Sequence, residues 1–299
     1  MIVLCYHRIS TKESVPTLGS TSDVSQAEFE RHLRYLTKNF RLPRLSEPFD
    51  LSALLRKRAR KPSVLLTFDD GYREMATVVL PLLLKYNVRG IFFLTTSALD
   101  GKTTLWFHRI EQALLKTKRF RNHRQRQRAF TAIMRSLRQR SEASLRRETA
   151  KVLETLGAPP KPSQAPLYLT WDLAEKLRRK GMAIGFHSHR HLPFEKLRDA
   201  SLRKEFELGH SLFKSRLGIS PLLLAYPFGR TENVNLRIQR EAKGWGFRYA
   251  FTAMPGEASE RSDPLALPRI GIHSARPWKS LTHSLWLARC GFFRNGSPA

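Results

Sequence analysis

Cysteine is nearly absent from this 299-residue chain: Cys5 and Cys290 stand at opposite ends. Such spacing builds neither a disulfide framework nor a cysteine zinc site, and it suits a reducing compartment. Acidic residues are scarce as well, 25 against 53 Lys and Arg. The resulting net charge of +28 and pI near 11 call for a polyanionic partner (nucleic acid, anionic lipid or charged glycan) without fixing a function. No apolar run approaches the roughly 20 residues of a membrane span; the longest candidate, "TVVLPLLLKY", is broken by Pro81 and ends at Lys85. The opening "MIVLCYHRIS" has no basic stretch ahead of its short apolar run, so it does not read as a signal peptide, and a cytoplasmic location is expected. A G-x-S-x-G elbow is missing, which argues against a serine hydrolase. Aromatic RNA-stacking and major-groove motifs are missing too, which makes nucleic acid an unlikely partner.

What is present is alternation. "IVLCY", "SVLLTF", "RGIFFLT", "AIGFHS", "LLLAYPF" and "RYAFTA" read as strands. Between them, "SQAEFERHLRYLTKNF" (capped by Ser25), "YREMATVVLPLLLKYN", "WDLAEKLRRKG", "RDASLRKEFELGHSLFKSRLG" and "VNLRIQREAKGWG" read as helices. This pattern implies an α/β fold of parallel strands with helical crossovers, in a barrel or an open sheet, with function at the carboxyl ends of the strands. The pattern is interrupted at about residues 102–166. There 13 basic residues lie between Lys116 and Lys151 against Glu142 and Glu148. Phe130, Ile133, Met134 and Leu137, then Leu145, Val152, Leu153 and Leu156, recur at helical spacing, so the interruption is predicted to be a basic, amphipathic helical insertion.

Two short stretches carry chemistry. "TFDDGY" places Asp69 and Asp70 side by side at the end of a predicted strand, where adjacent carboxylates repel unless a cation or shared proton offsets them. "GFHSHRH" places His187 and His191 four apart at the end of another strand. One Asp and two His with open positions for water form a catalytic metal arrangement. Alone, "DDG" is also an ordinary turn and the histidines an ordinary polar loop; at the ends of parallel strands, each strengthens the other.

"TFDDGY", "HSHRH" in the form H-S-x-x-H, and "AYPFG", in this order, resemble the polysaccharide deacetylases of the NodB-homology group, carbohydrate esterase family four. "CYHRIS" and "LPRIGIHS" are similar to segments of the branch acting on amino-sugar polymers or their precursors. The resemblance implies a deformed (β/α) barrel over residues 1–275 followed by a separate amphipathic segment, 276–299. It also implies a divalent metal, Zn2+ in the first instance, held by Asp70, His187 and His191. Asp69 would be the general base, His273 the general acid, and the Phe228 backbone N–H the oxyanion donor. Tyr226, Pro227 and Arg269 would contact substrate. The family's arginine that orients the base is missing before Tyr226; Arg230 and Arg269 are the two substitutes. The reaction implied is removal of N-acetyl groups from an amino sugar in a polysaccharide, glycolipid or lipid-linked precursor. Deformylation, cyclic-amide hydrolysis on the same fold, and non-catalytic polyanion binding are the alternatives. His7 and Arg8 either line the barrel mouth, as the resemblance suggests, or simply end a strand. Trp106, Trp171 and Trp245 either stack on sugars or pack.

The final stretch "WKSLTHSLWLARCGFF" sets Trp278, Leu281, Leu285 and Trp286 among basic residues. With the insertion, it suggests peripheral contact with an anionic membrane on the inner face of the cytoplasmic membrane, or else ordinary packing on the barrel.

Overall fold

The computed structural model describes residues 1–18, 23–45, 50–56, 61–101, 103–157, 167–272 and 277–289. His273, Cys290 and most of the Pro-rich end of the insertion lie outside these residues. Among these residues nine strands are formed: β1 (Ile2–Tyr6), β2 (Arg8–Ser10), β3 (Asp23–Ser25), β4 (Val64–Phe68), β5 (Gly90–Leu94), β6 (Ala183–Phe186), β7 (Leu223–Ala225), β8 (Tyr249–Phe251) and β9 (Ile270–Gly271). Seven make one parallel sheet in the order β8-β7-β6-β5-β4-β1-β9, while β2 and β3 pair separately. The six anticipated strands are all present. The short strands β2, β3 and β9 carried no sequence signal, because two or three residues cannot display a period.

The sheet curls into a deformed barrel, and the strand period decides what lies within it. Val3, Leu65, Ile91, Phe93, Ala183, Leu223, Ala225 and Phe251 form an inner cluster, while Leu4, Leu66, Phe92, Ile184, Phe186 and Leu224 pack outward under the helices. Odd-numbered residues therefore point inward on β1, β4, β5, β6 and β7. Cys5, Thr67, Asp69 and His187 continue that inward phase to the strands' carboxyl ends.

Closure comes from a short late segment. Leu267 pairs with Phe251 on β8, while Ile270, three residues on, pairs with Leu4 on β1. Three extended residues span about 10 Å, so this stretch ties one edge of the sheet to the other. Arg269 sits at the seam.

The interior has no slack at β6. A Cβ on Gly185 would stand 2.5 Å from two Phe93 ring carbons and 3.0 Å from the Leu223 carbonyl oxygen. Gly185→Ala should cost about 1–3 kcal/mol through overpacking. Chemical unfolding measures it, and a midpoint matching the wild type would refute the tight fit.

The helix expected from Tyr72 begins instead at Met75 with one wide π turn, Met75–Val79, before the α-helix Leu80–Lys85. Pro81 supplies no amide hydrogen at this junction, so regular α-helical pairing is interrupted there. The insertion is helical as anticipated: Trp106–Lys116, His123–Leu137 and Glu142–Thr155. Leu137, Leu145 and Leu153 are buried, and Phe130, Ile133, Val152 and Leu156 pack against the core. The C-terminal helix Pro277–Arg289 packs part of its apolar side. Leu281 and Leu285 are buried, and Trp278 lies edge-on to Tyr35 with the Arg31 guanidinium 4.0 Å from its ring centre. Of the residues named for membrane contact, Trp286 stays exposed. Among the described residues no helix is long and apolar enough to cross a membrane.

Candidate active site

Asp69 and Asp70 follow β4, and the backbone separates their roles. Asp69 stays in the inward strand phase, its N–H donating to the Tyr6 carbonyl at 3.0 Å. Asp70 turns into the left-handed region (φ 77°) and Gly71 follows at φ 82°, so the second carboxylate swings away from the first. Six described non-glycine residues have positive φ, and four of them, Asp70, Ser188, His191 and Phe228, surround this point. Such backbone is costly for ordinary residues and collects at functional sites.

Asp70, His187 and His191 bring one donor atom each to within 4.8 Å of the others, and all three residues are buried. Asp70 Oδ1 is 3.4 Å from His187 Nε2 and 3.2 Å from His191 Nε2. The directions are nevertheless wrong for hydrogen bonds, and Oδ1 is a buried oxygen without a hydrogen-bond partner. Three converging donors not satisfied by one another suit a cation. With bonds of 2.0–2.1 Å, the edge of a tetrahedral site is about 3.3–3.4 Å, close to these separations. A carboxylate with two imidazoles is also a donor set for zinc and related divalent metals.

The imidazoles are fixed from behind. His187 Nδ1 donates to the Ala225 carbonyl at 2.7 Å, which leaves Nε2 as the free ligand atom. Thr95 Oγ1 donates to the His187 carbonyl, and the His191 N–H donates to Ser188 Oγ at 2.9 Å. Glu205, fully buried, accepts from the backbone N–H groups of His189 and Arg190 and from Arg190 Nε, clamping the loop. Phe107 and Phe228 wall His191 with ring centres 5.0 and 4.9 Å away, and Trp106 Nε1 donates to its carbonyl.

Asp69 is held differently. Arg269 donates from Nη1 to Oδ1 and from Nη2 to Oδ2, both at 2.7 Å, and its remaining donors reach Thr67 Oγ1 and the Thr252 carbonyl. Burial works to raise the Asp69 carboxyl, but the Arg269 charge and then that of His187 outweigh it and bring it to about 2. Cys5, His7 and Asp69 form a second group of donor atoms. It is a poor metal site, because burial pushes the Cys5 thiol well above its ordinary range and Asp69 is already clamped.

The remaining anticipated residues divide. Of the two arginine candidates, Arg269 reaches Asp69, whereas Arg230 is exposed. The four hydrogen bonds of Arg269 go to Asp69, Thr67 and Thr252 and the side chain is 1% exposed, so it stands behind Asp69. Tyr226 is also buried, its hydroxyl donating to the Leu265 carbonyl. Phe228 (φ 62°) and Gly229 (φ 60°) form the turn after Pro227, and a Cβ on Gly229 would meet Ala253 N at 2.7 Å. Among the described residues nothing accepts from the Phe228 N–H. Arg8 is buried beside Glu74 (2.8 Å) and does not line the mouth. Trp171 packs on Phe213, and Trp245 donates to Glu241. Sequence reasoning missed Cys5, whose Sγ is 3.4 Å from Asp69 Oδ2, and Glu205. Cys5 lies in "CYHRIS" but was given no role there, and Glu205 carries no motif; the apolar helix face on which it falls was the one available hint.

The model for the family described as Polysaccharide deacetylase matches residues 56–250, well over half of the chain. YxkH of Bacillus subtilis strain 168, a protein named after the polysaccharide deacetylases, is 20% identical over 270 residues, covering 90% of this chain and 70% of its own. The deacetylase PplD of Streptococcus pyogenes, solved in complex with acetate, superposes with a TM-score of 0.63 at 17% identity, over 95% of this chain and 97% of its own. A de-N-acetylase from Aggregatibacter actinomycetemcomitans gives 0.61 at 16% identity, over 95% and 98%.

Proposed function

Because the chain belongs to the polysaccharide deacetylase family and is thus a hydrolase of carbon–nitrogen bonds other than peptide bonds, we propose that it removes N-acetyl groups from an amino-sugar substrate with the help of a divalent metal. The observation that carries this reading is the convergence of Asp70, His187 and His191 beside a clamped Asp69. Acetate in the similar Streptococcus structure supports acetyl as the group removed.

A metal at these three residues would supply a Lewis acid for the amide carbonyl and make a nearby water more acidic. Asp69, ionised and oriented by Arg269, takes the proton of the attacking water. A carboxylate near 2 is a weak base, so it suits a water already made acidic and would fail with bulk water. The Phe228 N–H faces the developing oxyanion, held ready by the left-handed turn. The amine leaves with a proton assigned to His273, which lies outside the described residues.

His187→Ala tests the ligand set. It should lower bound divalent metal at equilibrium by at least about ten-fold, measured by elemental analysis after dialysis, and acetate release from N-acetylhexosamine oligomers should fall with it. Full metal occupancy in that variant would exclude His187 as a ligand.

A further inference from the structure

The insertion and the histidine loop together line a half-open cavity of about 900 Å³ beside the site. Its relation to the catalytic loop is direct. Arg190 and Leu192, the two neighbours of His191, line it, as does Trp106, whose indole N–H holds the His191 carbonyl. Whatever occupies this space therefore touches the same loop that carries a proposed metal ligand.

Its charge is one-sided. Arg109, Arg146, Lys196 and Arg198 line the cavity, and among the described residues none of the four has a carboxylate within 4.0 Å. Glu142 is the one acidic side chain in the wall, and it is taken by Arg190 at 2.8 Å, which Glu205 also holds. Glu142 also feels the Arg198 charge, so one carboxylate in the wall faces five cations, and that excess favours the entry of an anion. Two hydroxyls reinforce the point. Thr149 is 4% exposed and its Oγ1 is buried without a hydrogen-bond partner, as is Ser97 Oγ, and both residues line the cavity. Guanidinium forks and hydroxyl donors together match phosphate oxygens. The volume is that of a small-molecule site, whereas a nucleic-acid surface would be an open stripe. Trp106, Leu105 and Leu145 add an apolar wall against which a sugar ring can lie.

We propose that this cavity binds a phosphate group carried by the sugar substrate, so that the N-acetylated sugar presented to Asp69 is a sugar phosphate or phosphodiester. The substrate half of this inference rests on the de-N-acetylase reading; the anion site itself does not. Part of the chain's excess positive charge, concentrated in the insertion, thereby acquires a local purpose.

The test separates the two. Inorganic phosphate and pyrophosphate are titrated calorimetrically into metal-loaded wild type, into Arg146→Ala/Arg198→Ala, and into Arg203→Ala/Lys204→Ala, a charge-matched control on an exposed helix face away from the cavity. Binding should weaken at least about ten-fold in the first variant, the loss expected for charge-assisted hydrogen bonds, and should be unchanged in the control. Equal affinity in all three proteins overturns the anion site. Acetate release is then compared between N-acetylglucosamine 1-phosphate and N-acetylglucosamine. The ratio of their kcat/KM values should favour the phosphate and fall about ten-fold in the cavity variant; a ratio near one in wild type overturns the substrate assignment. If neither sugar is deacetylated while phosphate still binds in the expected pattern, the catalytic reading fails and the anion site stands. A polyprenyl-linked N-acetylglucosamine phosphodiester, run beside the soluble monoester, shows which phosphate source the cavity prefers, and preference for either over the unphosphorylated sugar supports it.

Discussion

Asp69→Asn should keep the divalent metal and lose roughly two to four decades of turnover, the range for a positioned general base. An amide cannot accept the proton; it keeps the shape of the carboxylate and one acceptor for Arg269, although its NH2 gives up one of the two 2.7 Å bonds. Metal content distinguishes the base from a ligand, because Asp70, not Asp69, carries the buried oxygen without a hydrogen-bond partner. Loss of metal together with turnover would make Asp69 a ligand and exchange the two roles.

The second large effect is on stability. Arg269→Met removes one partner of a fully buried ion pair and leaves the Asp69 carboxylate, 2% exposed, without its neutralising charge. Breaking such a pair costs about 3–5 kcal/mol. The double variant Asp69→Asn/Arg269→Met should recover much of that loss, since no unpaired charge remains buried, while turnover stays abolished. Arg230→Met, at the exposed alternative position, should change stability by no more than about 0.5 kcal/mol. Chemical unfolding of the four proteins measures this. A single Arg269→Met variant as stable as the wild type would mean that the pair does not support the fold, and Arg269 would then have to be judged by turnover alone.

The elements that emerged from the sequence are those whose signals are local. "SVLLTF" and "AIGF" are short apolar runs, legible as buried strands, and the helix cap at Ser25 sits where a short polar side chain precedes an apolar repeat. Adjacent carboxylates at one strand end and spaced histidines at another were legible for the same reason, and so was the alternation that makes the sheet parallel.

What only the tertiary structure decided is long-range. Arg230 and Arg269 are equivalent as letters; Arg269 reaches Asp69 because the segment between Leu267 and Ile270 closes the barrel and carries it to the seam, 200 positions along the chain from its partner. Glu205 became the clamp of the histidine loop only when its helix docked, and the insertion's charge became a cavity only when it folded back beside Arg190 and Leu192. Residue types and local spacing determine which groups can do chemistry. Which of them meet depends on strand closure and helix docking, contacts whose register no local period encodes.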